Sequence, residues 1–410
     1  MRISTSQFYK IGLNTINTQQ ARQLDTFNQI GTGKKITSPK DNPLGAARAL
    51  NLANSMAVND RFAENRSVAM QNLKFEESIL SEVTLAIQAV QTRLVEAGNG
   101  TFSDADRATL GEVVDSLREQ LLGLANSTDG NGQYLFSGNQ GNISAFGKDA
   151  FGNISWQGDS GNRAIQVSSL RQLSSADTGY DIFMKAVSGA NSYVTSAAAG
   201  NTGTGVINSP EVFDPKANSG QNYSVAFSGS PLSYTVSISD ASGVVGSTEG
   251  PFVFDEANPG ITLSGGVKVA FSGVPQEGDS FSVNNIHNEN INIFDTLAQL
   301  SEALNTPISN DEVAKSRLYN TLAFASERIS ANYDTVLNVR ASVGVRMNEI
   351  EALDASGEQR TLDFKNEISN LEDVDFYEAS TELMQRNLAL QAASMAFSKI
   401  QGLSLFEILG

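Results

Sequence analysis

The 410-residue chain has no cysteine and one histidine. The first absence excludes disulfides, cysteine-ligated zinc and thiol chemistry, but leaves the compartment open, since many secreted bacterial proteins also lack cysteine. The lone His287 lies in Asn284-Asn285-Ile286-His287-Asn288-Glu289-Asn290. A zinc-protease helix needs two histidines four residues apart with glutamate after the first, so His287 reads instead as a polar residue in a return connection. Long apolar runs are missing too. The first thirty residues hold no continuous hydrophobic stretch, so no cleavable secretory signal is expected, and no segment reaches the length that spans a bilayer. Basic residues are few: 28 Lys and Arg stand against 45 Asp and Glu, giving a net charge of −17. That balance disfavours nucleic acid and anionic membrane as partners and gives no reason to expect membrane insertion.

Motifs for small-molecule chemistry fail in turn. Lys34 follows Gly33, but Gln29 stands where a phosphate-binding loop needs glycine, and Lys35 replaces the magnesium-binding Ser or Thr. Gly203-Thr204-Gly205 lacks the third glycine of a dinucleotide fingerprint at Asn208. Asp129-Gly130-Asn131 begins like a calcium loop, yet Gln133 and Tyr134 break it, so a tight turn is expected. The clusters Glu76-Glu77 and Glu372-Asp373-Asp375 read as solvated helix faces or helix boundaries. A secreted hydrolase carried in residues 180–290 is disfavoured, because that stretch offers no recognisable nucleophile–base pair. The chain reads as a non-enzyme without cofactor or metal.

What the sequence does contain is helical periodicity at both ends. Tyr9, Leu13, Ile16, Gln20, Gln23, Phe27 and Ile30 alternate in steps of four and three. Tyr377, Thr381, Met384, Leu388, Gln391 and Met395 do the same. These are coiled-coil seams, but each is too short and too rich in glutamine to be stable alone. Helices of this kind need a partner. The seam residues expected to take part in assembly are Tyr9, Leu13, Ile16, Phe27, Ile30, Tyr377, Met384, Leu388, Met395, Phe397 and Leu403.

Between the arms lie two longer stripes. After Gly31-Thr32-Gly33 and the breakers Pro39 and Pro43, helix is expected from about Leu44 to Glu96, roughly 75 Å long. It steps through Phe62, Arg66, Ala69, Leu73, Glu76, Leu80, Val83, Ile87, Val90 and Leu94, eight of the ten apolar. Ser103 with Asp106 resembles a capping box and opens a shorter helix through Leu124. Short β-type runs follow at Gln133–Phe136 and Ala164–Val167. Ser196 to Gly205 reads as a linker or exposed loop, and Tyr223 to Val283 as a strand-rich domain. Helix returns at Ile293, stops at Pro307, and restarts after Asn310-Asp311-Glu312. This last rod steps through Leu318, Leu322, Ala325, Ile329, Asn332, Val336, Val339, Val343, Arg346, Ile350 and Leu353, nine of the eleven apolar.

The expected fold class is therefore mainly α with a β-rich insert: long antiparallel helical rods, terminal coiled-coil arms and a small β-rich outer domain. The expected division is residues 1–38 and 375–410 for the arms. Residues 39–178 and 291–374 form the rod domain with β-hairpins, and 179–290 the outer domain.

Several segments resemble one family. Phe27-Asn28-Gln29-Ile30-Gly31-Thr32-Gly33-Lys34-Lys35-Ile36, Pro39-Lys40-Asp41-Asn42-Pro43 and Ala46-Ala47-Arg48-Ala49-Leu50 resemble the N-terminal signature of the bacterial flagellin family. Leu371-Glu372-Asp373-Val374-Asp375, Glu378-Ala379 and Leu388-Ala389-Leu390-Gln391-Ala392 resemble its C-terminal signature. Asn42 departs from a pattern that often has a second Asp there, but Asn still suits a cap before Pro43. Met1-Arg2-Ile3-Ser4-Thr5, the turn Asp129 to Gly138 and the ending Ile400 to Phe406 resemble junction-type members more than bulk filament subunits. Phe271 to Phe281 is similar to a segment shared among hook-associated proteins.

The resemblance implies a structural component of the extracellular flagellum, an adaptor that joins a neighbouring hook-associated protein to the flagellin filament. It implies export by the flagellar secretion apparatus without signal cleavage, and copies of the chain arranged in a ring. It also implies a cytoplasmic export chaperone on the C-terminal arm. The alternative within the family is flagellin itself, the bulk subunit.

Overall fold

The computed structural model describes residues 5–187 and 192–409, with the side chains of 5, 6, 8 and 400–409 left out of the description. The chain divides into two compact units, residues 1–64 with 352–410, and residues 65–351.

The first unit contains helix α1 (Thr5–Thr32), the start of α2 (Pro43–Ala97), the end of α6 (Glu312–Glu372) and α7 (Phe376–Leu409). Gly33 ends α1 with φ +71°, a conformation that favours glycine. Asp41 then ties the loop by accepting from the Thr37 and Ser38 amides. Asn42 caps α2: its Oδ1 accepts the Gly45 amide at 2.9 Å, as its place before Pro43 led one to expect. Deeper in this unit Asn59 of α2 donates to the Gly357 carbonyl and to the Thr361 hydroxyl of α6.

In the second unit α2 and α6 run antiparallel. Gln88 meets Tyr333 and Glu77 meets Arg340, so residue numbers on one helix rise as those on the other fall. Both expected stripes are the faces that become buried. Ala69, Leu73, Leu80, Val83, Ile87 and Val90 of α2 are covered, as are Leu318, Leu322, Ala325, Ile329, Val336, Val343 and Ile350 of α6. Ser103 and Asp106 form the capping box that starts α3 (Asp104–Ala125). This helix packs against α5 (Ile293–Asn305).

Two short hairpins attach to this bundle, β1 (Phe146–Lys148) with β2 (Ile154–Trp156), and β3 (Ala164–Ser168) with β4 (Arg171–Ser174). The first hairpin, with helix α4 (Gly179–Phe183) and α5, brings together an aromatic cluster. Phe146 lies 5.3 Å from Trp156, 5.6 Å from Phe183 and 5.0 Å from Phe294, each edge-on. The expected strand at Gln133–Phe136 is not formed. Leu135 and Phe136 are buried there, and the Tyr134 and Leu135 amides bond to Gly141 and Ser127, which makes a folded loop.

Among the described residues the strand-rich domain has nine strands. They are β5 (Tyr193–Ala197), β6 (Val206–Ile207), β7 (Glu211–Val212), β8 (Asn222–Ser228), β9 (Ser233–Ser239), β10 (Val245–Val253), β11 (Gly260–Leu263), β12 (Val267–Ser272) and β13 (Ser280–Asn285). One antiparallel sheet has the order β10-β9-β8-β13-β5, and the second runs β11-β12-β6 with β7 also on β12. Alternation on β8 and β12 sends Tyr223, Val225, Phe227, Val267, Val269 and Phe271 into one core. Phe227 sits edge-on to Phe254, Phe271 and Phe281 at 5.3–5.9 Å.

The stretch Ser196–Gly205 is no linker. It finishes β5 and then runs through buried Asn201, Gly203 and Gly205. A Cβ on Gly203 would stand 2.4 Å from Asp279, so the small residues that suggested flexibility instead permit close packing.

Candidate assembly surfaces

Helices α1 and α7 pair antiparallel. The rings of Tyr9 and Phe397 lie 5.1 Å apart near one end. Gln23 donates to Asn387 Oδ1 at 2.6 Å midway, beside Arg386, which donates to the Arg22 carbonyl. At the other end Lys34 bridges Asp373, with the Lys35 amide on the Glu372 carbonyl and the Val374 amide on the Gly33 carbonyl. Lys34 also pairs with Glu372 at 2.5 Å, and this carboxylate holds the ammonium above its ordinary pKa. The Gly-Lys pair that failed as a nucleotide motif thus fastens the end of the helix hairpin.

The less exposed positions trace the pairing face. On α1 they are Gly12, Ile16, Gln19, Gln23, Thr26 and Ile30; on α7, Ala379, Leu383, Arg386, Leu390, Ala393 and Phe397. Gly12 is required by contact, since a Cβ there would lie 2.5 Å from the Phe397 ring. Of the expected seam residues, Tyr9, Ile16, Ile30 and Phe397 lie on this face, although Tyr9 remains half exposed. Leu13 and Phe27 fall beside it, with Phe27 62% exposed. Tyr377, Met384, Leu388 and Met395 do not join it. The α7 pairing face is displaced from their stripe by two residues, about 200° around a helix, so they point to the opposite side. Met384 and Leu388 are each 69% exposed. The side chain of Leu403 lies outside the described residues. Helix α7 therefore has two apolar faces, and the monomer covers one.

A second group of residues was hidden inside the rod stripes. Each stripe carried two polar interruptions, Arg66 and Glu76 on α2, Asn332 and Arg346 on α6, and all four are buried. They bind backbone. Arg66 donates to the Val167 carbonyl at 3.0 Å, and Glu76 accepts the Asp177 amide at 2.9 Å. Arg346 donates to the Ser174 carbonyl and pairs with Asp177, while Asn332 donates to the Ile291 carbonyl. Burial in this apolar setting, with the Asp177 carboxylate near, pushes the Glu76 pKa well up. The legible signal is a charged or amide residue recurring at a core step of an otherwise apolar stripe. Glu76 is therefore a buried core group and not part of the solvated helix face that its pairing with Glu77 suggests.

His287 is exposed in a single 3-10 turn after β13. Among the described residues there is no cluster of His, Asp and Glu able to hold a metal ion. No described helix is long and apolar enough to cross a membrane. Asp129 Oδ1 accepts the Asn131 and Gln133 amides, making the tight turn expected there.

The bacterial flagellin N-terminal helical region matches residues 3–141, and the flagellin C-terminal helical region matches 327–409. Over 408 residues the chain is 30% identical to flagellar hook-associated protein 3 of Salmonella typhimurium, covering 100% of this chain and 99% of that protein. The chain belongs to the bacterial flagellin family. Members of the flagellin family are structural proteins of the flagellum and not enzymes. Among solved structures, hook-associated protein 3 from Legionella pneumophila is similar with TM-score 0.68 and 27% identity, over 80% of this chain and 98% of that one. A structure described as the flagellar junction protein FlgL from the same organism gives TM-score 0.64 and 26% identity, over 80% and 100%. In this flagellin-family chain the two matched regions are the helical arms and rods, and the strand-rich domain lies between them.

Proposed function

We propose that this chain is the adaptor at the flagellar hook–filament junction, set as a ring of copies between a neighbouring hook-associated protein and the flagellin filament. One observation carries the assembly reading: α7 keeps Met384, Leu388 and Met395 outward while its other face is already used by α1. A helix that is apolar on both sides belongs in a buried setting. Lateral packing of arms from adjacent subunits supplies that setting and is driven by the apolar area it covers. The match to a hook-associated protein 3 over the whole chain supports a junction role over the bulk-subunit one.

The same outward stripe is an aggregation liability before assembly. A cytoplasmic export chaperone that covers the C-terminal arm as a helix in a groove resolves this. Export then proceeds through the flagellar secretion apparatus with the N-terminus uncleaved. The division that goes with this reading is residues 1–38 and 375–410 as arms, 39–178 and 291–374 as rod, and 179–290 as the outer domain facing solvent, apart from α4 within it, which packs into the rod cluster.

Electron microscopy of a strain lacking this protein tests the junction role. The expected result is hooks without filaments and flagellin lost to the medium; normal filaments would overturn it. Purified protein alone should not form long filaments. Spontaneous filaments would identify a bulk subunit.

A further inference from the structure

One face of α6 reads the backbone of the strand-rich domain where that domain joins the rod. Ser316 donates to the Gly203 carbonyl at 3.3 Å. Asn320 accepts the Ile207 amide and donates to the Gly205 carbonyl, at 2.9 and 3.0 Å. Glu327 accepts the Thr195 amide at 2.6 Å and also meets the Thr195 hydroxyl. Positions 316, 320 and 327 fall within about 40° of one another on a helix. A small apolar cluster lies beside this row, with Phe324 and Ala331 of α6 against Val194, Ile286, Ile291 and Ala186. The seat of the domain therefore rests heavily on side-chain-to-backbone hydrogen bonds.

Glu327 is the ionisable acid in that row, and among the described residues no cation acts on its carboxylate. β5 brings only Thr195, and the connection after β6 brings the Ser209 hydroxyl. Arg328, its neighbour on α6, is held by Glu289 at 2.5 Å and stacks on Phe324. Arg317 donates to the Asn201 carbonyl. His287 beyond β13 is exposed.

We propose that Glu327 is a proton-controlled latch: protonated, it seats the strand-rich domain on α6, and ionised, it loosens that seat. The neutral acid keeps a carbonyl for the Thr195 amide and offers its own proton to the Thr195 hydroxyl. Ionisation places an uncompensated charge in a partly buried site. That burial raises the pKa from 4.5 to about 7, against the opposing pull of the Thr195 and Ser209 hydrogen bonds. Because the seated value is the higher one, the stabilisation is complete below 4.5 and is lost as pH rises through about 7.

Hydrogen exchange on the full-length protein, corrected for intrinsic rates, tests the latch at pH 5.5, 7 and 8.5. Protection of the amides from Tyr193 to Ile207 should fall about tenfold across that range in the wild type, because solvent screens part of the charge on this half-buried carboxylate. Amides of the β8–β9 pair, inside the domain, should not follow. Glu327→Gln, which stays neutral, should flatten the profile and keep β5 protected at pH 8.5. A wild-type profile already flat over these amides would overturn the latch without any variant. An unchanged slope in E327Q would overturn it as well, by assigning the titration to another group.

Discussion

At the residue scale, the polar members of the apolar stripes matter more than their number suggests. Arg66, Glu76, Asn332 and Arg346 each occupy a core step and satisfy backbone groups of segments far away in sequence. Removing one partner of such a buried pair leaves the other uncompensated. Arg346→Ala should therefore destabilise the rod unit by about 3–5 kcal/mol, seen as a lower denaturation midpoint. Replacement of exposed Arg360 should change it by less than about 0.5 kcal/mol. Equal effects would show that the Arg346–Asp177 pair holds nothing. Leu388→Asp tests the outward face of α7. It should leave monomer stability nearly unchanged, because the side chain is already solvated. It should weaken both chaperone binding, measured by calorimetry, and filament attachment, because a carboxylate in either covered setting costs several kcal/mol unless paired. If both persist, the stripe is not the shared surface.

At the element scale, the strand-rich domain is built to be removable. Its first and last strands are neighbours, with Tyr193 opposite Asn285 in register. Excision of residues 193–285 thus leaves two ends about 5 Å apart, a gap that a short Gly-Ser linker spans. The cut must spare α4, since Ile182 and Phe183 are buried and Phe183 lies 5.8 Å from Phe294 in the rod cluster. We expect this deletion to retain export and filament attachment, checked by secretion and motility assays. Loss of attachment by a folded, secreted variant would make the domain part of the joint.

At the scale of the whole molecule, the two units rest on different cores. Residues 65–351 enclose continuous apolar stripes and aromatic clusters. The α1–α7 pair meets through Gly12, Gln19, Gln23, Thr26, Arg386 and Ala393 as much as through large apolar side chains. Such a face buries little apolar area against the entropy of ordering two long helices. In the free monomer, proteases should therefore trim about residues 1–35 and 375–410 quickly and leave a resistant core. After assembly the same segments should be protected. Equal resistance in a monodisperse monomer would show that the pairing seen here suffices alone.

The sequence by itself determined what depends on local period and local chemistry. Helix α2 was expected from Leu44 to Glu96 and runs from Pro43 to Ala97. The capping box at Ser103 and Asp106 formed as expected, and the α6 stripe named the buried face except at Val339 and Leu353, which are half-buried. These features are legible because a helix writes its burial into steps of three and four. Other features were decided by partners distant in the chain. On α7 two apolar stripes compete, and only the approach of α1 selects the one through Leu383, Leu390 and Phe397. Ser196–Gly205 has the composition of a linker, yet Asp279 and the polar face of α6 order it. Glu76 looks like a surface acid until the Asp177 amide and Arg346 close around it. Periodicity records that a face is buried, but not which element covers it. That choice rests on long-range pairing, which exists only once the chain has folded.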